Sequence, residues 1–91
     1  MTKIIVTAQV EDPVKWEEGF RAHADLFKSQ TVAKVEFATI DGNEIAVYFE
    51  PEDFDKFMEI FESAATGEAM EADGVKRETV KVYVLDKGFD T

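Results

Sequence analysis

Residues 31–50 read TVAKVEFATIDGNEIAVYFE, and this stretch decides the fold. Ala33, Val35, Phe37 and Thr39 alternate with Lys34 and Glu36, the period of a strand that is buried on one face. Asp41-Gly42-Asn43 then marks a tight turn, because glycine takes a positive φ without steric cost. The alternation resumes in Ile45, Val47 and Phe49 against Glu44, Ala46, Tyr48 and Glu50. The stretch therefore predicts an antiparallel hairpin of strands 31–41 and 44–50.

Outward from the hairpin, each side carries a helix and then a strand. On the N-terminal side, Ile4, Val6, Ala8 and Val10 alternate through a strand over 3–10. Asp12 and Pro13 open a helix over 13–28, Asp12 as its cap and Pro13 at the first position, where no N–H is needed. At 100° per residue, Trp16, Phe20, His23 and Phe27 fall within an arc of roughly 60°, a single apolar stripe with a histidine near its centre. On the C-terminal side, Pro51 opens a second helix whose Phe54, Phe57, Met58 and Phe61 stand at i, i+3, i+4 and i+7. Ser63 reads as a break and a new cap, starting a short helix over 64–72 that Gly67 weakens and Gly74 ends. The last strand, 78–86, alternates Val80, Val82 and Val84 with Thr79, Lys81, Tyr83 and Leu85. The tail is Lys87–Thr91.

The order is strand, helix, strand, strand, helix, strand. This predicts one α+β domain over 1–91, with the ferredoxin-like βαββαβ arrangement and two helices on one face of a four-stranded antiparallel sheet. The other sheet face carries a mixture that includes Ile5, Thr7, Lys34, Glu36, Tyr48, Lys81 and Tyr83. That mixture suits a face covered by a second subunit. A one-residue slip in any strand would exchange its two faces.

The composition narrows the function. The chain has 91 residues, 10 Lys plus Arg against 20 Asp plus Glu, and a formal charge of −10. Nucleic acid and anionic membranes are not expected partners, since both call for a basic footprint. No apolar run approaches 18 residues, so no membrane span is expected. The Lys3-Ile4-Ile5-Val6 run is too short for the core of a signal peptide. Cysteine is absent, which removes disulfides, thiolate zinc sites and a cysteine nucleophile, and fits a reducing, cytoplasmic location. A chain of this size buries only roughly 60–65% of its unfolded surface and gains from oligomerisation.

The pattern resembles the dimeric α/β-barrel superfamily, which includes small cofactor-independent monooxygenases and polyketide-cyclase-like proteins. The resemblance covers nearly the whole chain. Three segments carry it: Asp12-Pro13 with Trp16, Phe20 and His23; the Asp41-Gly42-Asn43 turn leading to Ile45-Ala46-Val47; and Ser63 through Ala69-Met70-Glu71-Ala72-Asp73-Gly74-Val75. It implies a homodimer joined through the sheets, a ligand cleft between sheet and helices within each subunit, and no cofactor. Histidine at this helix position resembles the catalytic or ligand-contacting histidine of some relatives.

His23 is the candidate acid/base, since an imidazole works in either direction near neutral pH. The alternative is a core-edge histidine bonded to backbone. Trp16, Phe20, His23, Phe27, Phe37, Phe54, Phe57, Met58, Phe61 and Met70 are the candidate lining of a cleft for an extended apolar molecule, such as a fatty or oxo acid or a polyketide-like aromatic. The bland reading of most of these side chains is ordinary core. Arg21 and Arg77 are candidates for a carboxylate contact at the rim. The acidic clusters at 11–18 and 50–55 lack metal-ligand spacing and read as solvated helix starts. Haem ligation by His23 finds no second supporting feature. Three functions follow: an apolar-ligand binding module, a cofactor-independent monooxygenase- or cyclase-type enzyme using His23, or an interaction protein whose cleft is only core.

Overall fold

The computed structural model describes residues 2–91. Its elements run β1 (Ile4–Val10), α1 (Pro13–Ala22), α2 (Ala24–Ser29), β2 (Val32–Ile40), β3 (Glu44–Pro51), α3 (Phe54–Phe61), α4 (Ala64–Ala72) and β4 (Val75–Val84). The strands form one antiparallel sheet in the order β2-β3-β1-β4. This is the ferredoxin-like α+β arrangement read from the sequence.

The period-2 pattern of the strands builds the core. Ile4, Val6, Ala8 and Val10 of β1 and Ile45, Val47 and Phe49 of β3 are buried on one face, against Trp16, Phe20 and Phe57 of the helices. Phe57 is fully enclosed, with its ring centroid 5.3 Å from that of Phe49. The hairpin turns through Gly42 and Asn43, both with positive φ (83° and 58°). Asn43 also ties the turn to the end of β1: its carbonyl accepts from the Val10 N–H at 2.8 Å.

Four local features differ from the sequence expectation. The helix expected over 13–28 is two helices, α1 and α2, broken at His23, whose N–H bonds three residues back to the Phe20 carbonyl. Pro51 does not open a helix. It is the buried last residue of β3, paired with Val32. The helix starts at Phe54, where the Asp53 carboxylate accepts from the Lys56 N–H. β2 begins at Val32, because Thr31 sits at φ 62°, a rare conformation for a β-branched residue. Hydrogen bonds hold Thr31 there: its carbonyl accepts from the Glu52 N–H at 2.8 Å and its hydroxyl from the Asp53 N–H at 3.1 Å. A register shift between Val32 and Lys34 then leaves Ala33 exposed, so Val32, Val35 and Phe37 face the core. β4 starts at Val75 rather than 78. Its register against β1 shifts between Thr7 and Gln9, and the Thr79 hydroxyl fills the gap, accepting from the Gln9 N–H and donating to the Lys76 carbonyl.

The sheet face away from the helices carries Ile5, Thr7, Ala46 and Tyr48, all half-buried, with Tyr83 more exposed beside them. The Tyr48 hydroxyl donates to Glu50 at 2.7 Å. Lys34 and Glu36 pair at 3.1 Å on the same face. No helix among the described residues is long and apolar enough to cross a membrane.

Candidate functional site

The apolar stripe of α1 and α2 and the inner face of the sheet do not close completely. Between them, with α4 on the far side, lies a cavity of about 70 Å³. Of the expected lining residues, Trp16, Phe20, His23, Phe27, Phe61 and Met70 form its wall. Phe37, Phe54, Phe57 and Met58 lie outside that wall. Phe37 packs edge-on behind Trp16 and Phe20, with ring centroids 5.6 and 5.3 Å away. Phe57 lies in the core, and Phe54 and Met58 pack against it. An apolar helix stripe does not distinguish wall from core, since both need the same periodicity.

His23 is set apart by the break between α1 and α2. Its imidazole turns inward, and the Nε2 atom is shut off from solvent. Asp73 Oδ2 stands 3.2 Å from it. At that separation Asp73 is the partner of the imidazole, although the N–H direction is off line, and no other partner reaches Nε2. Among the described residues, this is the one buried side-chain nitrogen or oxygen without an aligned partner. Buried polar groups are nearly always paired, and the Asp73 carboxylate supplies that pairing here.

Asp73 is the polar residue the sequence reading missed. It follows α4 directly and precedes Gly74, so on sequence alone it reads as an ordinary helix end. Its N–H caps α4, bonding to the Ala69 and Met70 carbonyls. This places the carboxylate over Gly19 of α1. A Cβ on Gly19 would meet the Asp73 carboxylate, so the carboxylate keeps this position because residue 19 has no side chain. Burial raises the Asp73 carboxyl above its usual range, while the nearby imidazole pulls it down.

The rest of the polar wall is Gln30 and Thr66, both buried. Gln30 Nε2 donates to Thr66 Oγ1 at 3.3 Å, and that hydroxyl donates to the Ile60 carbonyl at 2.6 Å. The only advance signal for this pair was a polar residue at each of two helix ends. The rim candidate Arg21 and the remaining polar side chains with ring or amide groups lie elsewhere. Arg21 bonds to Glu17 at 2.9 Å and stacks over the Phe37 ring. Tyr48 and Tyr83 belong to the outer sheet face, and Asn43 to the hairpin. Glu50 and Glu36 beside Tyr48 push its hydroxyl up to about 12, chiefly through the hydrogen bond to Glu50. No group of three or more His, Asp or Glu side chains among the described residues converges as a metal site.

The site is thus an apolar hollow with one imidazole and one carboxylate at one end, and an amide–hydroxyl pair in its wall. Its wall offers apolar surface to a small organic group, with the His23–Asp73 pair as the ionisable groups beside it.

No protein-family model matches the chain, and no curated protein matches it in sequence. Solved structures do match in fold. One is a Bordetella bronchiseptica protein provisionally named an antibiotic biosynthesis monooxygenase, with a TM-score of 0.76, 17% identity and 97% of each chain covered. Another is SnoaB of Streptomyces nogalater, described as a cofactor-independent oxygenase, with a TM-score of 0.71, 14% identity, and 98% of this chain and 94% of that one covered. A third is a Nitrosomonas europaea protein provisionally named as the first is, with a TM-score of 0.68, 14% identity, and 98% and 100% covered. The chain shares the fold of these structures, a ferredoxin-like α+β domain.

Proposed function

We propose that this protein binds a small, mainly apolar organic molecule in the cavity between its helices and its sheet, with His23 meeting the molecule's one polar group. The observation that carries this reading is the apolar hollow itself, walled by aromatic rings, with the His23–Asp73 pair in its lining. A phenol hydroxyl or a carbonyl is the polar group that such a pair would recognise. The aromatic rings of Trp16, Phe20 and Phe27 supply the apolar wall, as small-molecule sites generally require.

Titration calorimetry with phenol tests this. Wild-type protein is expected to bind it, and His23→Ala to bind it at least tenfold more weakly while keeping its far-UV circular dichroism. Equal binding by both proteins removes His23 from the site.

A second reading is a cofactor-independent enzyme of the monooxygenase or cyclase type. The observation favouring it is the Asp73 carboxylate 3.2 Å from the imidazole. A carboxylate in that position stabilises the imidazolium that forms when histidine removes a proton. SnoaB, described as a cofactor-independent oxygenase, shares the fold. Deuterium exchange at the activated carbon of 2-tetralone tests the proton step. Acceleration by wild type and none by His23→Ala supports it; equal rates remove it.

We also infer a homodimer joined through the outer sheet face. The half-buried Ile5, Thr7, Ala46 and Tyr48 support it, since a sheet with helices on one side leaves its other side to be covered. The superfamily that the chain resembles supports it as well.

A further inference from the structure

A second, more open hollow, of about 240 Å³, lies at the surface where the end of α3, α4 and β4 meet. Phe61, Met70 and Val80 form part of its wall, and the same three residues are part of the wall of the His23 cavity. The two spaces therefore adjoin at a phenylalanine, a methionine and a valine. Methionine is the most adaptable of apolar side chains. Neither space alone reaches the roughly 300 Å³ at which small-molecule sites begin, but together they do.

The second hollow differs from the first in charge. Arg77 of β4 is part of its wall, and the guanidinium lies flat against α4 at Gly67. A Cβ on Gly67 would stand 3.1 to 3.3 Å from the three atoms NH1, CZ and NH2. The buried glycine that weakens the interior of α4 is thus the seat of an arginine. Two carboxylates are near: Glu62 also borders the hollow, and Glu71 Oε1 is 3.9 Å from the guanidinium. That pair is loose and both its side chains are more than half exposed, so most of the five N–H donors of the guanidinium stay open to an incoming acceptor. A planar guanidinium matches a carboxylate in two parallel bonds.

We propose that the two hollows are one channel, and that the molecule taken up is an amphipathic carboxylate. Its anionic end docks on Arg77, its apolar body displaces Met70 and passes Phe61, and its far end lies at His23. This rests on the cavity reading above and adds the substrate class. It also accounts for how an extended molecule fits a protein whose inner cavity holds only a few heavy atoms.

Calorimetry with three probes tests it: phenol, 4-hydroxyphenylacetate and 6-(4-hydroxyphenyl)hexanoate. The carboxylate stands one carbon from the ring in the second and five in the third. Wild type is expected to bind the hexanoate at least tenfold more tightly than phenol, and the acetate no more tightly than phenol. In Arg77→Gln the ratio of phenol to hexanoate dissociation constants should fall at least fivefold, the advantage that remains being burial of the alkyl chain, and Arg77→Lys should recover part of the loss, with both variants checked for folding by circular dichroism. High salt should reduce the hexanoate advantage. A hexanoate no tighter than phenol in wild type, or a ratio unchanged in Arg77→Gln, overturns the channel while leaving phenol binding at His23 intact. Hexanoate binding that depends on Arg77 without phenol binding supports the channel and overturns the separate role of His23. Binding of none of the three overturns both.

Discussion

Gly19→Ala separates the stability of this domain from its proposed function. Alanine in a helix interior is normally worth about 1 kcal/mol over glycine. Here the new Cβ would sit 1.9 Å from Asp73 Oδ1 and 2.6 Å from Cγ, far inside ordinary contact. The Asp73 backbone is tied to α4 through its N–H, so the side chain must rotate away rather than the chain shift. An unfavourable rotamer costs on the order of 0.5–1.5 kcal/mol. Against that stand the helix gain and the release of a carboxylate that burial disfavours. The net change in stability is expected to stay within about 1 kcal/mol, a melting shift of no more than roughly 8 °C for a domain this small. Phenol binding should nevertheless fall at least tenfold, which is about 1.4 kcal/mol, because His23 loses the group that orients it. Thermal melts and calorimetry on one preparation give both numbers. Unchanged phenol affinity would show that Asp73 does not position the imidazole. Loss of folding would show that the carboxylate cannot leave and that the contact is structural.

Asp73→Asn tests the same carboxylate by pH. Its carboxyl is raised above 3.8 by burial, so the folded chain takes up a proton there more readily than the unfolded one. The group's contribution to stability is therefore greatest below about 3.8 and is lost as pH rises through the raised value. The asparagine variant should melt higher than wild type at pH 7, with the gap closing toward pH 4; a lower melting point at pH 7 contradicts this. Phe57→Ala, at a fully enclosed position, should cost about 3–5 kcal/mol in urea denaturation. A loss under 1 kcal/mol would mean that α3 is not the lid of the core. Tyr48 should ionise at about 12 by ultraviolet titration, and Glu50→Gln should bring it down. Ala46→Arg, on the outer sheet face, should convert a light-scattering mass near twice 10.3 kDa to a single chain. A wild-type mass of one chain counts against the dimer.

The order of elements was legible because each strand and each helix stripe repeats its own period within a few residues. Val6, Val47 and Phe20 announce their burial by their immediate neighbours. The bulges at Ala33 and Thr79 were not legible, since a register shift depends on the partner strand rather than on the strand itself. Nor was the role of Pro51, which looks the same at the end of a strand as at the start of a helix. In the site, His23 and its aromatic neighbours were visible as one stripe. Asp73 was not, because it lies 50 positions further along the chain, and its meeting with His23 depends on how the end of α4 is placed beside α1. Gly19 leaves room there for the Asp73 carboxylate, and a glycine inside a helix pattern reads on its own as a weakness. Phe37, Phe54, Phe57 and Met58 were visible as apolar, but only the packing separates the core they fill from the cavity wall.

The proposed function requires that a guest's polar group meet His23 inside the cavity. The chain has one histidine, so a long-range ¹H–¹⁵N spectrum holds the signals of a single imidazole. Adding phenol is expected to move the Nε2 resonance of that ring progressively to saturation, with the Trp16 indole signal following the same curve. An imidazole spectrum that stays still while phenol is raised to millimolar levels would contradict the account.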